Sequence, residues 1–398
     1  MIDLLPNEIL DLVGQWLDDE DLKVTTMVCE LFRDIYFPIY LKRNKFSPRR
    51  AFISLKGLSN FRAFKSYHRF PHRPRQAYLS AFFSRDADAD TELSCLAYAL
   101  AQFPARAFRS ISLYFSRYNL VHAEPLNELL AALVPIQCKT LIINACLPGE
   151  HHIDVFMPPV YTSMASNLTN LTIEGDLNYT AFRPLLFGAS ELLEELTLCS
   201  LQATSTDLWK SLLNTTTLPK LRSFQASEDI PLPLLLDFLS RHPKISSLAI
   251  TANTANTCSK IMPTDDFIKK FDLKSLTIIS GPPSYIFTVL HSASAAPSLA
   301  RLSLLLDHLP NILIFPEVLK CLALCQIVEA FQVTLSHRSC RVSTETNKIS
   351  SLLDFTPLAI KVFRITLVDS DFSQDCDTSS NEDVMVSDIS SNTAHRSF

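Results

Sequence analysis

LTNLTI, at residues 168–173, is the stretch that decides the fold of this chain. Its apolar residues are Leu168, Leu171 and Ile173, separated first by two residues and then by one. Leu171 and Ile173, with one polar residue between them, have the alternation of a short, half-buried β-strand. The hexapeptide therefore predicts a brief strand whose apolar side chains face a core.

The same spacing recurs on both sides of this hexapeptide. The other copies are FRSISL (108–113), CKTLII (138–143), LEELTL (193–198), LPKLRS (218–223), ISSLAI (245–250), LKSLTI (273–278), LARLSL (299–304), VEAFQV (328–333) and IKVFRI (360–365). LPKLRS fits less well, because the expected apolar residue, Phe224, is shifted by one. Successive copies lie 25 to 32 residues apart, a period typical of solenoids whose units stack on their neighbours.

The stretches between these strands have the apolar spacing of helices. The two clearest examples are Leu126, Leu129, Leu130 and Leu133, and then Leu234, Leu235, Phe238 and Leu239. A strand followed by a helix in every repeat resembles the leucine-rich-repeat proteins. The resemblance implies an α/β fold over residues 108–368, an irregular leucine-rich-repeat solenoid of strand–helix repeats with a parallel sheet on its concave face.

Polar residues alternate with the apolar ones along each predicted strand, so they are expected to point into the concave face. We interpret this face as a surface that binds a protein substrate; ordinary solvated polar residues are the alternative. The residues assigned to it are Thr172, Glu174, Thr197, Arg222, Arg301, Gln332 and Arg364. They carry both charge signs, so they do not predict the charge of the substrate.

The first 41 residues have a different pattern. Pro6 stands where a helix begins, with Glu8 in its first turn. The apolar side chains of this helix cover an arc of about 160°, wider than contact with a single core requires. Asp18 and Asp19 are expected to end it and to cap a short second helix, and a third helix is expected to end at Pro38. Three such helices rarely form a stable domain alone, so either a partner chain or the rest of this chain is expected to cover their excess apolar surface.

The string LPNEILDLVGQWLDDEDLKVTTMVCELFRDI resembles an F-box. The residues that match the family pattern are Leu5, Pro6, Glu8, Ile9, Leu17, Asp18, Leu22, Val28, Cys29, Phe32 and Arg33. The resemblance implies that residues 1–41 bind a Skp-type adaptor, which joins a cullin scaffold and a ubiquitin-charged enzyme. The residues expected to contact the adaptor, some of them shared with the unit's own core, are Leu5, Pro6, Ile9, Leu17, Leu22, Val28, Cys29 and Phe32.

Residues 42–107 are predicted to hold a basic connector and the start of the repeat domain. No acidic residue occurs from Ile35 to Ser84, a window with eleven Lys or Arg residues among several aromatic ones. Proteins that bind single-stranded nucleic acid combine basic and aromatic residues in this way. The interpretation we favour, however, places the aromatic side chains in a core. A net charge of −5 and a pI near 6.1 also indicate no general attraction to nucleic acid or to anionic membranes.

Signals for catalysis or metal binding are weak. A metal site is one interpretation of the short cluster formed by Glu150, His151, His152 and Asp154. Adjacent histidines in an extended loop point to opposite sides, so a solvated loop is the interpretation we favour. Cys321 and Cys325, one turn apart on a predicted helix, are expected to pack in a core. No phosphate-binding glycine loop, GxSxG or HExxH occurs, so we predict no catalytic residue, metal or cofactor. An enzyme hidden in the repeat body is the remaining alternative.

Residues 369–398 contain seven acidic residues and many Ser or Thr, which predicts a disordered acidic tail. Ser379 and Ser380 each precede an acidic residue by three positions, a spacing that acid-directed kinases use; a merely solvating tail is the alternative. No signal peptide and no stretch of 18 apolar residues is present, so the ten single cysteines are expected to be reduced in the cytoplasm or the nucleus, with no membrane contact.

These expectations combine into one prediction. The chain is predicted to be the substrate-recognition subunit of an SCF-type ubiquitin ligase, without catalytic activity of its own. It would bind the adaptor through the F-box and an unknown protein substrate through the repeats. The alternative is an adaptor-bound scaffold that does not lead to degradation.

Overall fold

The computed structural model describes residues 5–44, 46, 51–67, 76–84, 88–115, 123–145, 167–175, 186, 189–199, 206–214, 216–251, 271–293, 298–306, 327–336 and 362–368. The chain divides into two compact units, Met1–Leu193 and Glu194–Phe398. Both units combine parallel strands with helices, so the predicted α/β class is confirmed. The cluster at 150–154, the pair Cys321 and Cys325, and the tail at 369–398 lie outside the described residues.

The first unit opens with three helices, α1 (Asn7–Trp16), α2 (Asp19–Thr25) and α3 (Glu30–Arg43). Asp18 caps α2 as predicted, because its Oδ1 accepts a hydrogen bond of 2.7 Å from the amide of Asp21. This bond fixes the break between the first two helices.

The prediction that Pro38 ends the third helix is wrong, because α3 continues for five residues beyond it, to Arg43. Proline inside a helix removes one backbone hydrogen bond, and its ring crowds the carbonyl four residues earlier, at a cost of about 3 kcal/mol. Phe37 on one side of Pro38, and Tyr40 and Leu41 on the other, are buried in the unit's core. This packing keeps α3 helical although one backbone hydrogen bond is missing.

The rest of the first unit pairs each strand with the next one in the chain. The strands are β1 (Phe52–Lys56), β2 (Ala77–Phe82), β3 (Phe108–Phe115), β4 (Thr140–Ala145) and β5 (Asn170–Gly175). All neighbouring pairs are parallel. The helices between them are α4 (Leu58–Tyr67), α5 (Ala89–Ala101) and α6 (Ala123–Leu133), the last followed by a short 3₁₀ turn at Val134–Ile136.

The sequence pattern did not identify β1 and β2, which lie inside the segment predicted to hold a basic connector and the start of the repeat domain. Both strands have the alternating burial of the later ones, with Ile53 and Leu55 inward on β1 and Leu79 inward on β2. Their flanking positions, however, lack the leading apolar residue of the repeat. On β2 the other inward residues are the small Ala77 and Ala81, which weaken the signal further.

The core of this region is aromatic. The buried rings that form it come from the strands, the helices and the segments next to them: Phe46, Phe61, Phe64, Tyr67, Phe103 and Phe108. Ring centroids lie 5.4 Å apart for Phe64 and Phe103, and burial raises the pKa of Tyr67 to about 12. Most described aromatic residues of the basic segment are therefore core residues that cannot stack on bases; the exposed ones are Phe52, Tyr78 and Phe82.

The second unit repeats the same arrangement. Its strands, parallel and paired in chain order, are β6 (Glu195–Cys199), β7 (Ser223–Ser227), β8 (Ser247–Thr251), β9 (Ile278–Gly281), β10 (Ser298–Leu306), β11 (Ile327–Ser336) and β12 (Val362–Val368). Its described helices are Thr206–Leu213, Leu232–Arg241 and Pro283–His291.

The pairing of the strands shows that two repeats begin three residues later than the sequence predicted. Leu196 pairs with Phe224, and Leu248 pairs with both Phe224 and Ile279. The repeats are therefore LRSFQA (221–226) and LTIISG (276–281), not LPKLRS and LKSLTI. In both places three buried apolar residues follow one another at intervals of three, so spacing alone permits either register. Gly281 replaces the last apolar residue because a Cβ there would lie 2.9 Å from the Cβ of Ile250.

His242 is buried in the second unit as a neutral imidazole. Its Nε2 accepts a hydrogen bond of 2.9 Å from the amide of Leu218, and its Nδ1 lies 2.6 Å from the carbonyl oxygen of Phe238, to which it donates. Burial lowers the pKa of His242, because an imidazolium would lose its hydration. Its protonated Nε2 could also no longer accept the hydrogen bond from Leu218.

We expect the second unit to lose stability as the pH falls below the ordinary histidine pKa of 6.5. Between the lowered pKa of the folded state and that value, the unfolded state binds more protons, so the free energy of unfolding rises with pH. Thermal unfolding across this range should depend less on pH in His242→Gln than in the parent chain. An identical pH dependence of the two proteins would contradict this assignment.

Candidate partner-binding site

Helix α1 carries apolar residues on two separate stripes. The inner stripe faces α3: Leu10 is buried, and a Cβ added at Gly14 would lie 2.7 Å from Cδ1 of Tyr36. The outer stripe consists of Ile9, Leu12, Val13 and Trp16, whose spacing places them on one face of the helix. All four are exposed, and Trp16 is 89% exposed. The wide apolar arc of the sequence is therefore two surfaces, of which the inner one packs against α3 and the outer one is exposed in the described part of the chain.

A second group of exposed apolar residues lies where α2 ends and α3 begins. Val24, Met27 and Val28 are each more than half exposed, and the free thiol of Cys29 is exposed beside them. We define the outer apolar surface as Leu5, Ile9, Leu12, Val13, Trp16, Val24, Met27 and Val28. It contains eight of the twelve large apolar residues that are exposed in the described part of the chain. Such concentration within one short segment is typical of interaction sites.

The eight residues predicted to contact an adaptor differ in their exposure to solvent. Leu5, Pro6, Ile9, Val28 and Cys29 are exposed, while Leu17 and Phe32 are half-buried. Leu22 is completely buried and so belongs to the unit's own core, which removes it from the predicted contact set. Five exposed members of the surface were not assigned from the sequence: Leu12, Val13, Trp16, Val24 and Met27. The width of the apolar arc on α1 was the signal for the first three.

Arg43 holds the end of α1 in place. Its guanidinium donates hydrogen bonds to the carbonyl oxygens of Gly14 (3.1 Å), Gln15 (2.5 Å) and Leu17, and lies 3.7 Å from the carboxylate of Asp19. The last carbonyls of a helix have no partner within the helix and carry partial negative charge. This residue of the basic segment therefore positions the helix that carries the outer stripe.

A cavity of about 400 Å³ opens beside the end of α2. Its lining residues, from α2, α3 and α4, are Lys23, Thr26, Met27, Cys29, Glu30, Arg33, Phe37 and Ser66. Arg33 lies 3.3 Å from Glu30, yet its buried Nε makes no hydrogen bond with any described residue. The cavity thus has mixed polar and apolar walls, and it adjoins the outer apolar surface at Met27.

The predicted substrate-binding residues fall in several places. Thr172 and Glu174 lie on β5 in the first unit, where Glu174 accepts a hydrogen bond of 2.9 Å from Asn144. In the second unit, strand pairing through intervening residues places Thr197, Gln332 and Arg364 in one row across the sheet. The side chain of Arg364 lies outside the described ones.

The two remaining substrate-binding candidates lie apart from that row. Arg301 stands one row earlier, opposite Ile278. Arg222 was placed on the concave face, but it precedes β7 and its carbonyl oxygen accepts the amides of Ser246 and Ser247. It therefore lies just before β7, because the repeat begins three residues later than the sequence suggested.

Among the described residues, no group of three or more His, Cys, Asp or Glu side chains could hold a metal ion. No helix in the described ranges is both long and apolar enough to cross a membrane. Comparison of the chain with protein-family models and with curated proteins gave no match.

Proposed function

We propose that this chain is the substrate-recognition subunit of an SCF-type ubiquitin ligase, whose opening helices act as an F-box that binds a Skp-type adaptor. The observation that carries the proposal is the outer apolar surface. Helices α1 to α3 already have a core of their own, built on Leu10, Leu22 and Tyr36. Eight further apolar side chains remain in contact with solvent, and this is the surplus that a partner chain would cover.

The outer apolar surface offers a substantial gross binding energy. Burying one fully exposed large apolar side chain contributes about 1.5–3 kcal/mol. The eight side chains are between 44% and 89% exposed in the free chain, so burying all of them contributes on the order of 10 kcal/mol, of which only the surplus over association and side-chain ordering becomes affinity. The depletion of charge on the outer stripe and the exposed indole of Trp16 are also features of interaction hot spots.

The remainder of the chain would supply the receptor. Parallel strands and helices, with polar residues alternating on the outward side of β5 and β6, agree with the leucine-rich-repeat resemblance. A protein substrate would bind these polar rows, and partner enzymes would transfer the ubiquitin, so no residue of this chain is catalytic. We place the complex in the cytoplasm, the nucleus or both.

Replacing Leu5 and Pro6 together by alanine tests the adaptor contact. Both residues are exposed, so the double variant should fold like the parent chain while its affinity for purified adaptor falls at least about tenfold. The matched control is the double alanine variant of Asp11 and Gln15, exposed polar residues of α1 outside the family pattern, which should bind normally. Unchanged binding of the Leu5 and Pro6 variant would count against the F-box assignment.

Affinity purification of the full chain from cells distinguishes a ligase from a scaffold. Cullin that elutes together with the adaptor and the full chain supports the ligase. Adaptor that elutes without cullin supports an adaptor-bound scaffold instead.

A further inference from the structure

Exposed aromatic rings lie together on the sheet of the first unit. Outside the outer apolar surface, the described part of the chain exposes four large apolar residues, and three of them are Phe52 on β1 and Tyr78 and Phe82 on β2; the fourth is Tyr98 on α5. Strand pairing places Phe52 beside Tyr78 in one row, and Phe82 beside Tyr114 of β3 in a second row. We call the four rings of these two rows the aromatic face.

Rings, and not hydroxyl groups, make the surface of the aromatic face. Ser80 and Ser112 lie between the two rows, and each is only 7% exposed. Three of the four rings, in contrast, are 39% to 52% exposed. Phe82 and Tyr114 stack with their centroids 4.6 Å apart and their planes at 7°. The face therefore presents planar rings to solvent, and planar rings are the groups that stack on such a surface.

Three exposed cations lie beside the aromatic rows. Lys56 of β1 pairs with Phe82 in the second row. Arg109 directly precedes the β3 member of the first row, and its carbonyl oxygen accepts the amide of Lys139, which lies just before β4. None of the three cations forms an ion pair with a described residue. Strands β1 to β4 contain no acidic residue, and the acid-free face ends at Glu174 on β5. The aromatic face is therefore suited to an anionic ligand.

We propose that the aromatic face binds single-stranded nucleic acid, with bases stacked on its rings and phosphates beside its three cations. Proteins bind single strands in this way, through aromatic side chains for the bases and basic ones for the backbone, and in some RNA-binding domains the rings stand on the open face of a sheet. An acidic peptide would satisfy the cations but has no succession of flat rings, and a duplex keeps the faces of its bases covered.

The net charge of −5 does not oppose local binding, because the eleven basic residues from Ile35 to Ser84 have no acidic residue among them. The sequence gave no means of telling buried rings from exposed ones in this segment, and the structure leaves these few at the surface. The inference goes beyond the proposed ligase function, and its outcome does not depend on adaptor binding.

The test is fluorescence anisotropy of the full chain with labelled oligothymidylate and oligouridylate of about twelve nucleotides, and with an abasic strand of the same length and charge. We expect saturable binding of at least one base-containing strand, at least about tenfold tighter than binding of the abasic strand. Tyr78→Ala and Phe82→Ala should each weaken this binding at least about fivefold, the cost of one lost base stack, and leave abasic binding unchanged. Lys56→Gln should weaken binding of every strand and reduce the salt slope by about 0.7.

Tyr98→Ala is the matched control, because Tyr98 is a similarly exposed aromatic residue on α5, outside the aromatic face. It should bind both oligonucleotides like the parent chain. Absence of saturable binding, equal affinity for the abasic strand, or an equal loss in Tyr98→Ala would overturn the inference. Tighter binding of a peptide of alternating aspartate and leucine, with the same charge as the oligonucleotide, would also overturn it and would assign the face to an acidic protein segment.

Discussion

A Trp16→Glu chain should fold normally and bind the adaptor at least about a hundredfold more weakly than the parent. Trp16 is almost fully exposed, so a carboxylate in its place remains hydrated in the free chain. In the proposed complex the same carboxylate would be buried without a counter-charge, while the apolar contact of the indole would be lost. Together these effects are expected to remove about 3 kcal/mol or more of binding free energy.

Gln15→Glu is the control for this variant. It introduces the same charge at the neighbouring exposed position of α1, but about 100° away around the helix from Trp16. Titration calorimetry with purified adaptor should show a normal dissociation constant for Gln15→Glu, and circular dichroism should show parent-like folding for both variants. Equal losses of adaptor affinity in the two variants would point to a general charge effect and would contradict the assignment of the outer stripe to adaptor binding.

Gly14→Leu should weaken adaptor binding in a different way, by displacing α1. Even a Cβ at this position would lie 2.7 Å from Cδ1 of Tyr36 and 2.8 Å from Cδ1 of Ile39. The Tyr36 ring is itself buried and has little room to move, so a leucine must push the helix away from α3. Overpacking of this kind destabilises a protein by about 1–3 kcal/mol.

Hydrogen exchange distinguishes this mechanism from the loss of a surface contact. In Gly14→Leu the amides of α1 should exchange faster, while those of the helix Leu232–Arg241 in the second unit keep their protection. In Trp16→Glu the α1 amides should exchange as in the parent chain. Retained protection of α1 in Gly14→Leu would contradict the close packing of this helix on Tyr36.

Local rules were enough to predict the parts of the fold that depend on neighbouring residues. Asp18 ends one helix and caps the next through a bond to an amide only three residues away, so its role follows from the sequence. Alternation likewise predicted β5, since Leu171 and Ile173 are buried and Thr172 is not. Pro38 was misjudged because distant side chains keep α3 helical beyond it.

The sequence by itself determined the repeated strands, the three opening helices and the excess of apolar residues on α1, because each follows from periodicity within a few turns or residues. Only the tertiary structure decided which apolar residues are inside. Leu22 and Val28 look alike in the sequence, yet one is buried and the other exposed. The choice between the two stripes of α1 depends on Tyr36 and Arg43, which lie on another helix. Burial is set by contacts between elements far apart in the chain, and a pattern of spacing contains no information about which face those elements will cover.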